Sequence, residues 1–166
     1  MSSSTIPVAG RSTTALVLPN SGALSAGWAE VELPDGVLGQ AIYRWIVSGR
    51  SDQESVAPFN SRGHSAGMFV FDETSSNTAY AFANPSTQAT TITLFAYGAS
   101  GSAIGSTTLT FEARSRVVGF FRNLANLGGM AGTRGYVTLS SSNCTLCALA
   151  LRFAATNFSS IPIVFL

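Results

Sequence analysis

The stretch TTITLFAY, Thr90 to Tyr97, sets Ile92, Leu94 and Ala96 on one face of an extended chain and Thr91, Thr93, Phe95 and Tyr97 on the other. That two-residue period belongs to a β-strand; a helix would scatter the same side chains around its axis. Phe95 and Tyr97 share the polar face, so the strand is either covered on both sides or displays two rings.

Downstream, GASGSAIG reads as the connection of a hairpin whose return strand is GSTTLTFEA. The runs MFVF, AYAFAN, RVVGFF, GYVTL, CALALRF and IPIVFL are also short, rich in β-formers, and bounded by Gly, Pro, Asn or Ser. One segment has helical spacing: in FFRNLANLGG, Phe121, Leu124 and Leu127 fall on one side before Gly128 and Gly129 end it. The expected class is all-β: one antiparallel β-sandwich domain over residues 1–166, immunoglobulin-like or jelly-roll-like, with one short helix near 122–127.

A weak internal repeat divides that domain. GWAEVELPDGVLGQAIYRW (27 to 45) aligns without a gap to GYVTLSSSNCTLCALALRF (135 to 153), pairing Gly27 with Gly135, Leu38 with Leu146, Arg44 with Arg152, and Trp45 with Phe153. Upstream, AGRSTTALVL resembles EARSRVVGFF. Both copies of the longer match read as strand, turn, strand, which gives a first half near 9–58 and a second near 68–166. The halves are unequal, since about three strands ahead of EARSRVVGFF have no N-terminal counterpart.

The motifs Asn84-Pro85, Thr90 to Thr93, Gly101, Arg122 to Leu127, Arg134-Gly135 and Ala148 to Phe153 together resemble a β-sandwich repeat domain of predicted secreted proteins of soil bacteria. The resemblance covers most of residues 69–165 and, more loosely, Gly27 to Trp45. It implies an extracellular sandwich and brings no catalytic residues with it.

Composition narrows the functional classes. The formal net charge is +1, and all nine basic residues are scattered arginines, so no nucleic-acid footprint is visible. Only 10% of residues are charged, and a surface with so little repulsion favours self-association or a crowded extracellular setting. No apolar run reaches the roughly 18 residues that would span a bilayer. The chain is therefore expected to be soluble, and MSSSTIPVAG lacks the basic and apolar regions of a signal peptide, so an exported form would have lost its leader.

GHSAG, Gly63 to Gly67, has the form of a serine-hydrolase nucleophile elbow around Ser65. The sole histidine, His64, lies inside the motif, whereas the general base must follow the serine and the acid in the chain. A strand pattern also follows Ser65 where a helix is required, and the absence of lysine removes a Ser-Lys dyad. The paired carboxylates Glu30 and Glu32, Asp52 and Glu54, and Asp72 and Glu73 read as a solvent-facing strand and two loops. Any of them could hold a structural calcium with loop carbonyls, although no Asp-x-Asp-x-Asp spacing is present. No other cofactor is expected.

Cys144 and Cys147 flank a predicted turn, either as two half-buried thiols or as one short disulfide. Trp28, Trp45, Tyr43, Tyr80 and Tyr97 could form a sugar-stacking platform or fill the core, and the matched Trp45 and Phe153 favour core for those two. Arg44 and Arg152 read as structural ends of strands.

The expected function is a non-catalytic extracellular structural or interaction module, at the cell surface or in a matrix; the alternatives are a self-assembling subunit of an extracellular filament joined by β-strand addition, and a carbohydrate-binding module. Its expected partners are copies of itself, other extracellular proteins, or glycans. The apolar terminus Ile161, Pro162, Ile163, Val164, Phe165 and Leu166 is the expected assembly strand, completing the first half of its own chain or of a neighbour.

Overall fold

In a computed structural model of the chain, which describes residues 4–18, 27–46, 48–59, 64–142, 147–155 and 157–166, the TTITLFAY stretch forms a strand of Thr90–Gly98. Ile92, Leu94 and Ala96 are buried, whereas Phe95 is exposed, so the polar face with its two rings is uncovered. In chain order the strands are β1 (Gln40–Trp45), β2 (Gln53–Pro58), β3 (Ala66–Asp72), β4 (Asn77–Ala83), β5 (Thr90–Gly98) and β6 (Ala103–Phe111). They continue as β7 (Arg116–Phe120), β8 (Arg134–Ser141), β9 (Cys147–Ala154), β10 (Asn157–Ile161) and β11 (Val164–Phe165).

Two antiparallel sheets form the body, one in the order β11-β3-β8-β5-β6 and the other β10-β9-β4-β7. Phe69, Phe71, Ile92, Leu94, Val137 and Leu139 from the first sheet meet Tyr80, Phe82, Ala148 and Ala150 from the second. β1 and β2 make a separate two-stranded hairpin. No helix among the described residues is long and apolar enough to cross a membrane.

The expected helix near 122–127 resolves into two 3-10 turns, Phe121–Asn123 and Gly128–Met130. Of the expected apolar face, Phe121 and Leu127 are fully buried and Leu124 is partly buried against the core, and Met130 joins them from beyond the expected helix. The segment closes one end of the sandwich as a plug, and Leu124 returns to extended geometry before a helical turn can propagate. Four strands, β3 to β6, stand ahead of the EARSRVVGFF segment, where the sequence suggested about three.

Two of the structural motifs now have physical causes. Asn84 is fully buried: its Nδ2 donates to the carbonyls of Gln88 (2.8 Å) and Glu112 (2.9 Å), and its Oδ1 accepts from the Ser86 N–H and hydroxyl. One side chain thereby ties the β4–β5 connection to the β6–β7 turn. Gly135 opens β8 because a Cβ there would lie 1.8 Å from the carbonyl oxygen of Tyr97, so only glycine permits the close approach of β5.

Candidate interaction surface

The sites nominated by the sequence are dispersed. Gly63 lies outside the described residues; His64 stacks on Phe165 at 4.7 Å, and the carbonyl of Ser65 accepts from the Ser141 N–H at 2.7 Å as β3 begins. Ser65 therefore leads into a strand, without the strand–turn–helix of an elbow. Glu30 pairs with Arg114 (3.3 Å), Glu54 with Arg44 (2.6 Å) and Asp72 with Arg134 (2.9 Å), while Glu32 is exposed beside Glu30 and Asp52 lies in the β1–β2 connection. Hydrogen bonds from Thr74 hold the Asp72 carboxyl below the usual range. Among the described residues, no three His, Cys, Asp or Glu side chains gather to hold a metal.

Cys147 opens β9 half-buried, and Cys144 lies outside the described residues, as does any pairing between them. Tyr80 is a core residue, Tyr97 stacks on Tyr136 at 5.0 Å on the outer face of the five-stranded sheet, and Trp45 packs elsewhere, so the five aromatics do not share one platform. Burial raises the Tyr80 hydroxyl above its ordinary pKa. Ile161 ends β10, while Val164 and Phe165 pair with Met68 and Gly67 of β3 in the same chain, and the Leu166 N–H reaches the Ala66 carbonyl. In this chain the terminal strand thus extends a sheet of the second half and leaves the first half without it. Pro162 and Ile163 carry the chain from one sheet to the other.

Glu73 lies in the loop between β3 and β4, as the sequence suggests, and its carboxylate is fully buried there. Its Oε2 accepts from the Arg122 guanidinium at 2.7 Å and its Oε1 from the Thr78 N–H at 2.9 Å, while Arg122 also donates to the Ser76 carbonyl. Arg152 donates to the Ser76 hydroxyl at 3.1 Å, which gives this arginine the structural role its position suggested. The string DETSSN carries no local mark of this burial, because the covering residues come from the 121–134 segment, far along the chain.

The N-terminal residues make a more coherent site. Arg11 and Arg114 both hold left-handed backbones, with φ of 58° and 55°, a conformation that residues other than glycine seldom adopt. At each turn a serine hydroxyl reaches back to a carbonyl, Ser12 to Ala9 (2.7 Å) and Ser115 to Glu112 (2.6 Å). AGRSTTALVL thus begins with the same turn as EARSRVVGFF.

The hairpins match as well. Trp45 pairs with Gln53, and Tyr43 with Ser55; at the corresponding places Phe153 pairs with Phe158, and Leu151 with Ser160. The matched residues also touch: the Trp45 ring meets Phe153 edge-on at 6.0 Å, and the Ser160 N–H donates to the Ser55 hydroxyl at 2.6 Å. Contact between equivalent residues is what a local two-fold axis produces. Arg50 lies over the Trp45 ring at 4.9 Å.

The expected strand over 27–33 does not form a ladder; after Gly27 the first copy has only a turn, closed by Val37 N–H to Pro34, before β1. Its counterpart β8 is held between β3 and β5, and the described residues of 9–58 contain no equivalents of either strand. A strand needs a partner for its N–H and C=O groups, and none pairs with 27–33 among the described residues. Side chains record the same deficit. Leu18 is 73% exposed and its match Phe121 0%; Val31 is 51% exposed and Leu139 2%; Ile42 is 60% exposed and Ala150 1%.

β1 pairs only with β2 among the described residues, whereas β9 has β10 on one edge and β4 on the other. The described residues of the first half thus present one edge of β1 and the apolar side chains of Leu18, Val31 and Ile42 to solvent. Comparison with protein-family models, with curated proteins and with solved structures finds no match to this chain.

Proposed function

We propose that the chain is a non-catalytic structural or interaction module of an extracellular or cell-surface assembly, joined to neighbouring chains through its incomplete N-terminal unit. The observation that supports this reading is the exposure of Leu18, Val31 and Ile42 at positions whose matches are buried in the complete half. Exposed apolar faces beside an unpaired strand edge are the ordinary means by which sheets associate. The scarcity of charge leaves that approach unopposed.

Sedimentation velocity on the intact chain is expected to show association that grows with concentration, as β1 edges pair with one another when nothing else covers them. The triple variant Leu18→Lys, Val31→Lys, Ile42→Lys should stay monomeric with an unchanged melting temperature, because all three side chains sit in solvent. An intact chain that is monomeric throughout, or a variant that associates equally well, counts against the reading.

A second reading, glycan binding, is favoured by the outer face of the five-stranded sheet. The Tyr97–Tyr136 stack lies next to exposed Phe95, and the hydroxyls of Thr91 and Thr110 meet at 3.1 Å on the same face. Aromatic faces beside hydroxyls suit a polysaccharide. Affinity gels loaded with insoluble glycans should then retard the protein, and Tyr97→Ala with Tyr136→Ala should abolish the retardation; equal mobility of the two forms on every glycan removes this reading.

A further inference from the structure

We propose that the unpaired edge of β1 takes one extended strand from a separate polypeptide, antiparallel to β1, with an aliphatic residue where β4 carries Tyr80. This rests on the interaction-module reading above and names the chemistry of the partner. The template lies within the chain itself. In the complete half β4 runs between β7 and β9, so that Tyr80 sits opposite Gly119 on one side and Ala150 on the other, and Phe82 opposite Val117 and Ala148. Carried over to the first half, an incoming strand pairs with β1 on one edge and receives the segment Thr13 to Leu18 on the other. The residue in the place of Tyr80 then meets Leu16 and Ile42, and the one in the place of Phe82 meets Thr14 and Gln40.

Those exchanges set the partner's specificity. A Cβ on Gly119 would lie 2.8 Å from the Tyr80 hydroxyl oxygen, so the missing side chain at 119 is what admits the tyrosine. Leu16 and Ile42 replace Gly119 and Ala150 with larger side chains, and the space beside the incoming strand shrinks from both sides. A valine fits such a place and a tyrosine does not. A folded second copy of this chain cannot donate its own β4, because both edges of that strand are already paired with β7 and β9. The donor must therefore be a segment with its edges unsatisfied, uncharged and alternating as β4 does.

The test uses the full chain and fluorescent peptides based on residues 76–84, SNTAYAFAN. The peptide carrying Tyr80→Val is expected to bind at least about tenfold more tightly than the unaltered sequence, a difference of about 1.4 kcal/mol. Hydrogen exchange should show that binding slows the amides of Gln40 to Trp45. Methylating alternate backbone nitrogens of the peptide should abolish binding, since pairing needs them. The proposal is overturned if the valine peptide binds no better than a scrambled one, if the tyrosine peptide binds equally well, or if protection appears away from β1. Loss of association in the triple lysine variant without any peptide protection of β1 would leave the interaction module standing and remove only this assignment of its partner.

Discussion

Replacing Phe121 with alanine is expected to lower the unfolding free energy by about 3–5 kcal/mol, the range for deleting a large buried aromatic. Phe121 is fully buried, and its ring meets Phe69 and Tyr80 at 5.0 Å and Phe82 at 6.2 Å, so it joins both sheets to the plug that closes them. The cavity cannot collapse easily, because β3 and β4 are fixed in separate sheets by their ladders. Urea denaturation read by tyrosine fluorescence measures the loss. A change below about 1 kcal/mol would mean that the 121–134 segment is not packed as described. Leu18→Ala, at the matched position in the incomplete half, should change stability by less than about 0.5 kcal/mol, since that side chain stands in solvent.

Replacing Glu73 with alanine should cost about 3 kcal/mol, the lower end of the range for breaking a buried ion pair. The carboxylate side chain is 0% exposed, but its partner Arg122 retains 30% of its side-chain surface in solvent, so the orphaned guanidinium recovers part of its hydration. The Thr78 N–H also loses its acceptor inside the sandwich. The double change Glu73→Leu with Arg122→Met should recover much of the loss, because an apolar pair of similar volume carries no desolvation cost. A double-mutant cycle in chemical denaturation checks this, and strict additivity of the two single changes would show that Glu73 and Arg122 do not act as a pair.

These two positions mark where reading the chain alone stops. Phe121 was legible as part of an apolar face, since FFRNLANLGG places Phe121, Leu124 and Leu127 together at helical spacing. The 3-10 geometry was not legible, because the choice between one α-turn and two tighter turns is made by the space at the end of the sandwich. Glu73 gave no signal. Whether a carboxylate stands in water or in the core depends on the element that covers it, and that element is the 121–134 segment. Asn84 lies between these cases: Asn-Pro marks a turn, but the carbonyl of Glu112 that fixes the side chain comes from a different turn.

The candidate interaction surface divides in the same way. The correspondence of Arg11 with Arg114 and of Trp45 with Phe153 was visible from the residues, because two copies of one unit keep turn formers and aromatics in step. The same reading expected a strand at 27–33, since GWAEVEL alternates as well as GYVTLSS does. By itself the sequence determined which segments could be extended and which faces were apolar, both of which follow from backbone periodicity within a few residues, and it suggested a likeness between the two halves. Only the tertiary structure decided which of those segments are paired. Pairing requires a second strand brought up from a distance, and among the described residues the first half has β2 in the place of β10 but no counterpart of the β3 and β5 that hold β8, nor of the β4 that holds the other edge of β9.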